Sequence, residues 1–182
     1  MLMRYIYQVK KLQFANLGFT LIELLVTFSL ISMVSGLGFV SLTNYIKRQS
    51  LVQAAQDVKQ SINIAKFNAL SGVKPNSASC TSANGLVSYM VTFCDFSSFY
   101  PCIDTTADYE IEALCGGSTV AISSKKLPQN ITFSTTGLPT PCSYLIFGSL
   151  NSTIQGGTCS IYINGNGSEL TFTVDSSGYV SF

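Results

Sequence analysis

The sequence predicts an α+β protein: one long N-terminal helix, membrane-compatible over its first half and packed through its second half on a C-terminal antiparallel β domain. Three observations predict it. Residues 19–42 form an almost uncharged apolar run, and residues 51–69 carry apolar side chains at helical spacing. Beyond Pro75 the chain turns to Ser, Thr, Gly, Asn and β-branched residues, in short runs separated by turn signals. At 182 residues, one domain plus an appended segment is the natural reading. The expected partition is a leader at 1–18, a transmembrane helix at 19–42, its amphipathic continuation at 43–72 and a β-rich globular domain at 73–182.

The net charge of +1 averages over two unlike ends. Residues 1–18 hold Arg4, Lys10 and Lys11 and no acid, giving +3, whereas residues 76–182 hold Lys125 and Lys126 against seven acids, giving −5. Charged residues make up 10% of the chain, against roughly 25% in ordinary soluble domains. Part of the protein is therefore suited to lipid or to the interior of an assembly.

The run FTLIELLVTFSLISMVSGLGFVSL, from Phe19 to Leu42, has one charge, at Glu23. At about 1.5 Å per residue it covers the roughly 30 Å bilayer core. The basic cluster before it favours a cytoplasmic N-terminus, a bias weakened by Lys47 and Arg48 at the other end. A secretory signal peptide has the same layout. Against it stand the carboxylate inside the run, the lack of a clear Ala-x-Ala site and helical patterning that continues past Leu42. Glu23 needs its own reason, because an acid at the centre of a membrane helix costs about 2.5 to 3.5 kcal/mol on insertion scales. Cleavage between Gly18 and Phe19 would create one: the new amine of Phe19 lies one helical turn from Glu23, and a neighbouring subunit could equally supply that amine.

Gly18-Phe19-Thr20-Leu21-Ile22-Glu23, after a short basic leader, resembles the processing site of type IV prepilins and type II secretion pseudopilins. The resemblance implies cleavage after Gly18 by a prepilin peptidase, N-methylation of Phe19 and a role for Glu23 in docking subunits. It implies a pilin fold, with an apolar helix that first anchors the subunit in the bacterial inner membrane, the C-terminal domain periplasmic, and later becomes filament core. Other pilins or pseudopilins and an inner-membrane assembly platform are the implied partners.

Beyond Leu42 the pattern becomes amphipathic. Leu51, Ala55, Val58, Ile62, Ala65 and Ala69 recur at alternating steps of four and three, until Gly72 and Pro75 supply stop signals. Residues 19 to about 70 should form one helix of roughly 78 Å. Gly36 and Gly38, beside Ser32 and Ser35, weaken it by about 1 kcal/mol per glycine, which places any kink or local melting near Ser35 to Gly38. Many major pilins have a proline at the position corresponding to Val40, and this chain does not.

Candidate strands in the C-terminal domain are 86–93, 119–123, 130–134, 143–147, 160–164, 170–174 and 179–182, with Tyr109 to Leu114 readable as strand or helical turn. Asn164-Gly165-Asn166-Gly167 and Asp175-Ser176-Ser177-Gly178 read as hairpin turns. Three stretches are similar to the GspH/FimT-like group of minor pilins and pseudopilins: Ala65 to Leu70 at the helix end, Leu127 to Phe133 followed by Gly137, and Leu170 to Val180 as a closing hairpin.

The six cysteines, Cys80, Cys94, Cys102, Cys115, Cys142 and Cys159, all lie in the domain expected outside. No C-x-x-C occurs and histidine is absent, so no metal site is expected and disulfides are the better reading, with free core thiols as the alternative. Sequential pairing, 80 with 94, 102 with 115 and 142 with 159, would close loops worth about 3 kcal/mol each.

Without histidine there is no Ser-His-Asp or Cys-His catalysis, no Walker loop or nucleophile elbow is present, and neither enzyme activity nor a cofactor is expected. Some FimT-like relatives are associated with DNA uptake through arginines after the closing hairpin's glycine. Here that stretch is Ser176-Ser177-Gly178-Tyr179-Val180-Ser181. DNA affinity rests on neutralising phosphates, so an acidic domain with no arginine there argues against DNA binding on its own. The expected function is that of a minor pilin of a type IV pilus, a filament of motility, adhesion or DNA uptake. A type II secretion pseudopilin of the H type, which shares fold, processing and assembly chemistry, is the alternative.

Overall fold

The computed structural model describes residues 18–81, 85–95, 100–134, 141–151, 154–155 and 157–181, without the side chains of 37–40. Arg4, Lys10 and Lys11, Gly137, Phe182 and the side chain of Val40, on which expectations above rest, lie outside the described residues. Helix α1 runs Leu21–Ser71, and the chain divides into two compact units, the first ending at Thr43 and the second beginning at Asn44.

In the first unit, α1 exposes its apolar side chains on all sides, including Leu21, Leu25, Phe28, Ile31 and Val34. Uniform apolarity leaves no polar face to turn toward water, and the helix is long and apolar enough to cross a membrane. Three of its hydroxyls are satisfied from within: Thr27, Ser29 and Ser32 donate to the carbonyls of Leu24, Val26 and Phe28 at 2.9, 2.8 and 2.8 Å. Such back-bonding lets polar side chains sit in an apolar surround without unpaired donors. The helix continues unbroken through residues 35–38, the stretch where any local melting was placed. A glycine's cost of about 1 kcal/mol is too small to interrupt a ladder held on both sides.

In the second unit, Leu51, Ala55, Val58, Ile62, Ala65 and Ala69 are all buried, as the spacing predicts, and Ala54 and Ser61 widen the stripe. Small side chains dominate it: Ala54, Ala55, Ser61, Ala65 and Ala69. Its C-terminus closes with Gly72 N donating to Ala69 O and Val73 N to Asn68 O, both at 3.2 Å, the paired bonds of a Schellman cap.

Nine strands follow among the described residues, in two sheets. They are β1 Leu86–Phe93, β2 Tyr109–Cys115, β3 Ser118–Lys125, β4 Ile131–Ser134, β5 Tyr144–Gly148, β6 Ile154–Gln155, β7 Cys159–Gly165, β8 Ser168–Val174 and β9 Val180–Ser181. The first sheet has the order β3-β2-β1-β5-β6 and the second β4-β7-β8-β9, with every paired neighbour antiparallel. The ambiguous stretch at Tyr109 is thus a strand. Gly116 and Gly117, at φ 55° and 90°, make the two-residue turn that joins it to β3, a backbone geometry whose twist suits a hairpin and which glycine reaches without strain.

Tyr89, Val91, Phe93, Tyr109, Ile111, Leu145 and Phe147 from the first sheet join Phe133, Ile161, Ile163, Phe172 and Val174 from the second and the helix stripe in one core. Phe133 links the sheets, edge-on to Phe93 at 5.1 Å and to Tyr109 at 5.9 Å.

The disulfides depart from the sequential order. Cys80 pairs with Cys115, Cys94 with Cys102 and Cys142 with Cys159, at Cα separations of 5.1, 5.4 and 5.2 Å. Only the third pair matches the sequential expectation. The antiparallel register explains the other two. Leu86 faces Cys115 and Phe93 faces Tyr109, so Cys80 and Cys94 flank opposite ends of β1, about 27 Å of extended chain apart. Cys102 and Cys115 are likewise kept apart by β2. The free-thiol reading is set aside, since no cysteine is free.

Candidate assembly and processing site

Gly18, Phe19 and Thr20 precede α1 and are exposed, Phe19 at 77% of its surface. A Cβ added at Gly18 would meet no atom within 4 Å. Thr20 caps the helix: Glu23 N donates to Thr20 Oγ1 at 3.3 Å and Leu24 N to Thr20 O at 3.2 Å. Thr20-Leu21-Ile22-Glu23 is therefore a capping-box sequence in which the threonine takes up an otherwise unpaired amide. The sequence reading passed over Thr20, although its T-x-x-E spacing was the signal.

Glu23 sits in the first turn of α1, where the positive end of the helix dipole favours a carboxylate. Because the helix begins at Leu21, Phe19 stands outside the cap in this uncleaved chain, and the helical spacing assumed between Phe19 and Glu23 does not apply to it. The structure brings Gly18, Phe19 and Glu23 within one short exposed segment. The six cysteines lie elsewhere, in the β domain, as three crosslinks.

At the opposite end of α1, contacts tie the helix to the strands. Lys66 Nζ donates to Ser177 O at 2.6 Å, Tyr89 Oη to Val73 O at 2.8 Å and Leu150 N to Ala69 O at 2.9 Å. The Lys59 ammonium lies 5.9 Å from the centre of the exposed Tyr179 ring. Asp175 Oδ1 gathers Ser177 N, Ser177 Oγ and Tyr179 N at 2.8, 2.6 and 2.9 Å. The Ser177 and Tyr179 bonds hold its carboxyl below the usual range.

Residues 14–39 match the family model described as the prokaryotic N-terminal methylation motif. The match assigns this segment a type IV pilin-like, class III leader and indicates a type IV pilin or pseudopilin precursor. Such a leader implies processing by a prepilin peptidase and assembly with other pilins, and the exposed apolar helix that follows is compatible with membrane anchoring. No curated protein and no solved structure matches the chain.

Proposed function

We propose that the protein is a minor pilin: a low-abundance subunit that helps initiate, cap or modify a type IV pilus. The observation that carries this reading is the hexapeptide Gly18 to Glu23 at the head of an exposed apolar helix, inside the matched motif. Residues 1–18 are then the leader, removed by a prepilin peptidase. Phe19 becomes the methylated N-terminus, and residues 19–42 anchor the subunit in the inner membrane before entering the filament core. Glu23 neutralises the Phe19 amine of a neighbouring subunit, fixing the axial stagger between helices. A carboxylate and an amine in an apolar surround attract far more strongly than in water, and any other stagger leaves both uncompensated.

The type II secretion pseudopilin is the competing assignment, and one experiment separates the two. Deleting the gene should impair piliation and leave release of secreted proteins unchanged. Loss of secretion with normal piliation overturns the assignment. Mass measurement of the mature protein should give an N-terminus at Phe19 carrying one methyl group.

A further inference from the structure

The least expected feature of the β domain is a pair of buried acids. Tyr109, Ile111 and Ala113 of β2 face the core, so Glu110 and Glu112 point to the other side of the sheet. An antiparallel sheet can leave such a face to solvent, yet Glu110 is 0% and Glu112 1% exposed. What covers them is the segment 100–108, held at one end by the Cys94–Cys102 disulfide.

Glu110 binds that segment directly. Its Oε2 accepts Ile103 N at 2.6 Å, its Oε1 accepts Asp104 N at 2.9 Å, and Oε1 also accepts Ser124 Oγ at 2.7 Å. Glu112 has no comparable partners, and its Oε1 is buried without a hydrogen bond. Burial, and after it the charge of the neighbouring Glu110, pushes the Glu112 carboxyl up to about 7. The Thr92 hydroxyl beside it opposes the rise, but its Oγ1 lacks hydrogen-bonding geometry.

Among the described residues, no salt bridge reaches either carboxylate. From β1 the facing side chains are Met90 and Thr92, from β3 Ser124, and from β5 the phenol Tyr144, which meets Tyr100 edge-on at 5.0 Å. The covering segment adds two more acids: Asp104, whose Oδ1 is engaged by Thr106, and Asp108, whose Oδ2 accepts Leu127 N. Lys126 acts on Asp104, and Lys125 lines the groove on the helix side with Asp57, Ser61 and Tyr109. Cys102 Sγ and the two carboxylates have atoms within 4.8 Å of one another, but that sulfur is spent in a disulfide. Two carboxylates fall well short of the six to eight oxygens that calcium takes. One proton suffices.

We propose that Glu110 and Glu112 share a single proton beneath segment 100–108, and that loss of this proton releases the segment from the sheet. With the proton present, Glu112 donates to Glu110, and Glu110 keeps the charge that its two backbone amides and Ser124 stabilise. Without it, two adjacent carboxylates are buried together, and the route by which one reaches water is separation of the segment that Glu110 itself holds down. The device answers to rising pH and tightens as pH falls.

The test is hydrogen exchange on the full oxidised chain in detergent micelles at pH 5.5 and pH 8, corrected for intrinsic exchange, with and without a chelator. The chain has no histidine, so few other groups titrate in this interval. Peptides covering 100–108 should open at least tenfold more at pH 8 in the native protein. Glu112→Gln, which keeps a donor and cannot ionise, should hold its protection at both pH values. Infrared spectroscopy should show a protonated-carboxyl band that titrates in the native protein and is missing in that variant, a readout that needs no loop motion. Equal protection of the native segment at both pH values overturns the proposal. So does protection at pH 8 that disappears with chelator, which would assign the pair to a cation.

Discussion

Glu23 and Gly18 carry the functional reading, and they should fail in different ways. Glu23→Ala should leave cleavage intact and lower incorporation into filaments, measured by the mature mass in membranes and the subunit in sheared filaments. Gly18→Leu should stop cleavage, leaving the precursor mass in the inner membrane. A second prediction concerns Gly178. Its φ is 74°, and a Cβ added there would lie 2.7 Å from Phe147 Cε1 and 3.3 Å from Lys66 Cδ. Gly178→Ala should therefore destabilise the β domain by about 1 to 3 kcal/mol in denaturant unfolding, through both backbone strain and overpacking. The neighbouring turn depends on Asp175, whose lowered pKa means that its contribution is present above the usual carboxylate range and fades as pH falls through the folded value.

At the scale of elements, the helix was the most legible part, because its stripe needs only local spacing. Every residue of the predicted stripe is buried. Most strands were legible for the same reason, with ends within a few residues of those observed. What failed was long-range. The cysteine pairs depend on strand register, which no local pattern carries, and the Gly116-Gly117 turn that marks the end of β2 was not among the turn signals named. The hexapeptide was visible because its chemistry is contiguous, whereas the Glu110–Glu112 pair was not, since alternating acids on a strand ordinarily signal a wet face. The observed pairing makes its own prediction. Digestion of the oxidised protein should yield disulfide-linked peptides joining Cys80 to Cys115 and Cys94 to Cys102. Removing the first, by Cys80→Ala with Cys115→Ala, should cost the most of the three: it closes the longest span, 35 residues, worth about 4 kcal/mol on the chain-entropy account, and both sulfurs sit in the core.

For the molecule as a whole, the carboxyl pair sets a pH dependence with a definite sign. Glu112 is raised from 4.5 to about 7, so the folded protein binds a proton more tightly than the unfolded chain. Stability should be greatest at mildly acid pH, fall as pH rises from about 4.5 to about 7, and level off above that, by at most about 3 kcal/mol. Denaturant midpoints across that range should follow this curve, and Glu112→Gln should flatten it.

The bonds at the end of α1 bear on how the β domain would meet a pull along the helix. A pull along the helix would meet, in its last turns and just past its end, the Lys66 bond to Ser177, the Ala69 carbonyl shared between the helix cap and Leu150, and the Tyr89 bond to Val73. These reach the hairpin after β8, the end of β5 and the middle of β1, so a pull is divided between both sheets at once. Such an attachment should require several bonds to break together rather than one after another, so the force needed to detach the helix should exceed what equilibrium stability alone suggests.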